Sequence, residues 1–163
     1  MCGISGLMLA KGRVRQSILK RNNAIMRHRG PDSESHWVSD DGRLGFSQTR
    51  LAIVDPRARS DQPFFLDGGN IVLIFNGEIY NYMELRQELA KKYAFRTTSD
   101  TEVLANGYRE WGTGLLSRIE GMFAFAIYDK RKSTLFLARD FVGQKPLVYA
   151  EETEGFYFAS EIP

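Results

Sequence analysis

A chain of 163 residues suits one domain large enough to bury its own core, and 43% hydrophobic with 26% charged residues is the balance of an ordinary globular protein. A net charge of +2, with basic residues scattered among acidic ones, argues against a nucleic-acid partner, and no apolar run approaches the roughly 20 residues needed to cross a bilayer. The single cysteine rules out an internal disulfide and a multi-cysteine zinc site; with no leader-like opening, the chain fits the reducing cytoplasm.

Residues 2–9, carrying Ile4, Leu7, Met8 and Leu9, read as a buried first strand. In Gln16–Met26 the apolar Ile18, Leu19, Ala24, Ile25 and Met26 recur at spacings near three and four, the mark of an amphipathic helix. Arg29-Gly30-Pro31-Asp32 follows as a loop. Residues 36–38 and 44–54 read as strands flanking a hairpin turn at Asp40-Asp41-Gly42. Residues 56–69, rich in charge, proline and glycine, are expected to form a long surface loop. Ile71-Val72-Leu73-Ile74-Phe75 is predicted as a short buried strand that ends at Asn76-Gly77. Two helices follow. The first, 83–93, is capped by Asn81 and buries Leu85, Leu89 and Tyr93. The second, 101–111, opens behind Ser99-Asp100 with Glu102 in its first turn and stops at Gly112. Residues 122–129, 134–138, 146–149 and 156–159 complete the pattern as strands. Antiparallel strands interrupted by paired helices imply an α+β sandwich and not a doubly wound sheet.

Four places carry chemistry that a core does not require. Cys2 stands directly behind Met1, and removal of Met1 before so small a residue would leave a thiol and a free α-amine on one residue. An α-amine titrates at about 7.7–8.0, so part of it is basic near neutrality and can take the proton of its own thiol. The plainer alternative is a small buried hydrophobe. Arg50, just before Leu51-Ala52-Ile53-Val54, offers a fork suited to a carboxylate, or equally a rim side chain at a strand edge. Asn76 and Gly77 can donate together to an oxyanion, or form a simple Asn-Gly turn. Glu78 and Asp100 are suited to a substrate ammonium, although Ser99-Asp100 is also ordinary helix capping. Taken together, these groups describe a site for an α-amino acid whose side-chain carbonyl is attacked by the thiol.

The ordered motifs MCGISG at 1–6, RHRGPD at 27–32, RLAIVD at 50–55, FNGEIYN at 75–81 and SDTEV at 99–103 resemble a known family. So do GMFAFAIYD at 121–129, ARD at 138–140, GQKPL at 143–147 and FASEI at 158–162. The resemblance is to the class II glutamine amidotransferase domain, an N-terminal-nucleophile hydrolase fold, and specifically to the glutaminase domain of asparagine synthetases. It implies an αββα sandwich of antiparallel sheets flanked by helices, with residues 1–163 as one type 2 amidotransferase domain. The implied reaction is hydrolysis of L-glutamine to glutamate and ammonia through a Cys2 thioester. In that scheme Cys2, Asn76 and Gly77 are catalytic. Arg50, the backbone of Leu51, Ala52, Ile53 and Val54, and Glu78 and Asp100 bind the substrate. The resemblance implies no metal and no cofactor for this step. ATP and magnesium belong to the synthetase domain that follows FASEI in the family and is absent here, and the implied partner is such a domain or subunit, receiving the ammonia.

Two positions depart from the family pattern. Gln48 stands where histidine is usual, and Phe141-Val142 where a second arginine is often found. Phe141, Val142 and residues 156–159 are the expected apolar surface toward the absent partner. Two other readings stay open: a thiol hydrolase with His28 or His36 as base, and a non-catalytic domain that binds glutamine or a partner.

Overall fold

The run Ile71-Val72-Leu73-Ile74-Phe75 has no polar side because both faces of its strand are covered. In the computed structural model, which describes residues 1–52 and 60–162, Ile71, Leu73 and Phe75 face two helices while Val72 and Ile74 face a second sheet. Ile53 and Val54, expected to line the pocket, lie outside the described residues.

Among the described residues the elements are, in chain order, β1 (Gly3–Leu9), α1 (Gln16–Met26), β2 (Ser33–Val38), β3 (Leu44–Arg50), β4 (Phe64–Leu66) and β5 (Ile71–Ile79). They continue with α2 (Tyr82–Leu89), α3 (Asp100–Trp111), β6 (Gly121–Asp129), β7 (Thr134–Arg139), β8 (Val148–Glu152) and β9 (Gly155–Ala159). One sheet runs β2-β3-β1-β9-β8 and the other β4-β5-β6-β7, with antiparallel pairing throughout. Leu19 of α1 packs with Leu7 and Val14 on the outer face of the first sheet. Leu85 and Leu89 of α2, with Val103, Leu104 and Tyr108 of α3, cover the outer face of the second. Between the sheets Ile4, Leu44, Phe46 and Phe158 meet Val72, Ile74, Ala124 and Ala126. Each large side chain buried there stabilises the fold by about 1.5–3 kcal/mol. The layers are α, β, β, α, the expected sandwich. No helix among the described residues is long and apolar enough to cross a membrane.

Several boundaries differ from the sequence reading, each for a physical reason. β3 stops at Arg50 instead of continuing to Val54, and Leu51 and Ala52 have left the sheet. β5 does not end at Asn76-Gly77. It runs to Ile79, because Asn76, Gly77 and Glu78 pair with Ala124, Phe123 and Met122 of β6. Part of the expected loop at 56–69 is the short strand β4, where Phe64 and Leu66 point into the core and Phe65 points out. Asn81 does not cap α2 with its side chain. Its amide donates to the Arg118 carbonyl at 2.8 Å and accepts from the Glu120 N–H at 3.0 Å, tying α2 to the start of β6. Ser99 does cap α3, accepting from the Glu102 N–H at 3.3 Å. Phe158 is core, edge-to-face with Phe46 at 5.9 Å, so the expected apolar surface keeps only Phe141 and Val142 as strongly exposed members.

Candidate active site

β1 starts where β3 ends: Gly3 pairs with Thr49, so Cys2 and Arg50 share one end of the first sheet. The second sheet brings the far half of β5 to the same end, and α3 begins beside it. The result is a cavity of about 270 Å³ whose wall includes Cys2, Arg50, Leu51, Asn76, Gly77, Glu78 and Asp100. Seven expected site residues thus converge from four separate segments of the chain. Ala52 is not on this wall; its N–H donates to Asp32 Oδ2 at 2.8 Å.

The Cys2 thiol is held by Leu51, whose N–H donates to Sγ at 3.4 Å while Sγ lies 3.7 Å from the Leu51 carbonyl oxygen. Burial pushes the thiol pKa upward, outweighing the Leu51 N–H, the chain's amino terminus and Arg50, which pull it down. A thiol so placed keeps its proton near neutrality and needs a base to become a nucleophile. Neither histidine lines the cavity among the described residues. His28 Nε2 is 3.1 Å from Glu161, and His36 sits on β2 opposite Ser47. The thiol-hydrolase reading therefore has no imidazole where it needs one.

Arg50 is buried, and its Nη1 is 2.6 Å from Asp61 Oδ1. Asp61, which is not part of the cavity wall, is one partner of the guanidinium. Asn76 is 1% exposed, and its Nδ2 has no hydrogen-bond partner among the described residues. A buried amide left without an acceptor costs about 1–3 kcal/mol, the kind of deficit functional sites carry. At Gly77 a Cβ would lie 2.2 Å from the Met122 carbonyl oxygen. Glycine is thus required by the approach of β6 and not by a turn. Asp100 accepts from the Ile79 N–H at 3.1 Å, and its pKa is raised to about 6, first by burial and then by the charge of Glu78. A cation brought between Glu78 and Asp100 would favour the ionised form of both carboxylates.

Three contributors escaped the sequence reading. Asp61 pairs with Arg50. Gln62, itself on the cavity wall, accepts from the Phe75 N–H at 2.5 Å and donates to Thr101 Oγ1 at 3.5 Å, joining β5 to α3. Lys145 is a largely buried wall residue on a loop held by Asp140, which accepts from the N–H groups of Phe123, Gln144 and Lys145 at 2.8–3.1 Å. The GQKPL motif contained Lys145 and could have marked it. Gln48 is fully buried between Ile4 and Ser35 in the sheet register, off the cavity wall, and neither of its amide atoms has a partner among the described residues.

The sandwich is that of the N-terminal-nucleophile hydrolases. It matches the solved glutamine phosphoribosylpyrophosphate amidotransferase from Bacillus subtilis with a TM-score of 0.79, at 23% identity, over 98% of this chain and 42% of that one. That likeness defines the fold. The sequence model of the glutamine amidotransferase domain matches residues 1–163, and the chain belongs to that family. It is 43% identical over 166 residues to asparagine synthetase (glutamine-hydrolysing) 1 of Bacillus subtilis, covering 99% of this chain and 26% of that protein. It is 35% identical to putative asparagine synthetase (glutamine-hydrolysing) 2 of Methanocaldococcus jannaschii, covering 99% of this chain and 34% of that one. The chain therefore spans about a quarter to a third of the length of these curated relatives.

Proposed function

We propose that residues 1–163 form a glutaminase domain that hydrolyses L-glutamine to glutamate and ammonia at Cys2. The observation that carries this reading is the convergence of Cys2, Arg50, Asn76, Gly77, Glu78 and Asp100 on one cavity. After removal of Met1, the α-amine of Cys2 takes the thiol proton, and the thiolate attacks the side-chain amide carbon of glutamine. Asn76 Nδ2 and the Gly77 N–H hold the resulting oxyanion. The protonated amine then gives its proton to the departing nitrogen, ammonia leaves, and a thioester remains. Water, activated by the same amine, cleaves the thioester to glutamate. Arg50 holds the substrate α-carboxylate beside the Leu51 backbone, and Glu78 with Asp100 holds the α-ammonium.

The step as written uses neither metal nor cofactor. The relatives are named as glutamine-hydrolysing asparagine synthetases, and this supports a synthetase domain or subunit as recipient of the ammonia, with ATP and magnesium acting there. A reducing compartment such as the cytoplasm suits the lone thiol. The test is a glutaminase assay run beside mass spectrometry of the N-terminus. Protein beginning at Cys2 should release one ammonia per glutamate, and homogeneous protein retaining Met1 should release none. Equal rates for both forms would sink the amine mechanism, and binding of glutamine without ammonia release would favour the non-catalytic reading.

A further inference from the structure

FASEI has no part in the proposed mechanism, yet this last motif connects to the nucleophile through one intervening side chain. Ser160, fully buried, accepts from the Ile4 N–H at 3.0 Å and donates its own N–H to the Ile4 carbonyl at 2.8 Å. The next residue, Glu161, meets Arg29: Arg29 Nη1 donates to Glu161 Oε2 at 2.8 Å. Arg29 in turn donates from Nε to the carbonyl oxygen of Cys2 at 3.1 Å. One side chain therefore spans the nucleophile's own peptide group and a carboxylate 159 residues further on (161 − 2). The Arg29 side chain is only 8% exposed, and its Nη2 has no partner among the described residues. Glu161 is thus the carboxylate that the described residues supply to this buried cation, and His28 Nε2, on an exposed ring, sits 3.1 Å from its other oxygen.

A chain-terminal residue is ordinarily loose, since only one side of it is tied down. Here it must hold an amine, a thiol and an attack direction at once, and errors near 1 Å in such geometry cost roughly a hundredfold in rate. β1 pairs with β3 from Gly3 onward, so Cys2 itself stands just outside the register. Its carbonyl is held by Arg29. Neither Arg29 nor Glu161 lines the substrate cavity.

We propose that Glu161 is a positioning residue for the reaction: it sets the Arg29 guanidinium, which sets the backbone of Cys2 and with it the aim of the amine and thiol. This rests on the reading of Cys2 as nucleophile. The prediction is a split in the kinetic constants. Arg50, Glu78 and Asp100 hold the substrate, so Glu161→Gln should leave the KM for glutamine within about twofold while kcat falls by about tenfold or more. Glu161→Asp, which keeps the charge, should recover part of the loss. The rate of Cys2 alkylation by iodoacetamide, followed against pH in Met1-free protein, should fall or shift its midpoint in Glu161→Gln, a change that lost stability alone would not produce. Unchanged kcat and an unchanged alkylation profile in folded Glu161→Gln would overturn the proposal. So would a loss confined to KM or to melting temperature. Should wild-type protein starting at Cys2 fail to hydrolyse glutamine, the reading of the nucleophile falls, while the alkylation profile still decides whether Glu161 governs Cys2.

Discussion

Burial lifts the Asp100 carboxyl from the ordinary 3.8 to about 6, and the charge of Glu78 adds to the lift. The folded state therefore keeps this proton after the unfolded chain has lost it, and stability drains away as pH rises from about 4 to about 6 and stays lower above. Asp100→Asn should accordingly raise stability at about pH 8 by on the order of 1–3 kcal/mol and give no gain near pH 3.5, as read by urea titration. The same substitution should raise the KM for glutamine, since it removes half of the proposed ammonium site. In the wild type, KM should climb as pH falls below about 6, where Asp100 gains its proton. The remaining roles separate by kinetics. Cys2→Ala should abolish ammonia release while calorimetry still detects glutamine binding. Arg50→Ala should act mainly on KM, because the carboxylate contact proposed for Arg50 would be the same in ground and transition states. Asn76→Ala should lower kcat by roughly a hundredfold or more, the usual cost of losing an oxyanion donor, the role proposed for Asn76. The reverse pattern for Arg50 and Asn76 would exchange their assignments.

At the level of elements, the meeting of β5 and β6 is the least forgiving join. Gly77→Ala would set a Cβ 2.2 Å from the Met122 carbonyl oxygen and 2.7 Å from Phe123 Cα, both backbone atoms that cannot swing aside. The strands must part, at about 1–3 kcal/mol, and Asn76 moves with them, so melting temperature and kcat should fall together. The same join marks the limit of what the sequence alone could convey. Asn76-Gly77 has strong local turn propensity, and nothing in its neighbours reveals that nine residues of β6 lie alongside β5 and override it. The core strands and α1 were legible because their apolar spacing is long and regular. β4 was not, since three residues carry no period. Within the site, Cys2, Arg50, Asn76 and Asp100 stood out because each combines a reactive side chain with a motif. Asp61 and Gln62 did not: each acts through a partner on another segment, and that adjacency exists only after folding.

For the whole molecule, the share of the relatives that this chain spans bears on what it can do alone. Purified protein given glutamine, aspartate and ATP should release ammonia to solvent and form no asparagine, since no nucleotide motif occurs in it; amino-acid analysis of the mixture checks this, and asparagine formed without a partner would overturn the proposed division of labour. Phe141 and Val142, exposed at 103% and 73% on the loop beside Lys145, are the apolar surface to label first in a search for that partner. The strand order β2-β3-β1-β9-β8 also has a consequence in time. Among the described strands β1 is synthesised first, whereas one of its two neighbours, β9, is synthesised last. At about 5–20 residues per second the interval is roughly 7–30 s. Throughout it, Met1 and Cys2 sit on a segment whose sheet cannot close, open to an aminopeptidase. Under the proposed mechanism, unmasking of the amine would belong to the nascent chain, whereas its alignment with the thiol would wait for β9 and the Glu161 carboxylate just behind it. A ribosome stalled before residue 155 would carry a processed cysteine that is chemically exposed yet catalytically idle.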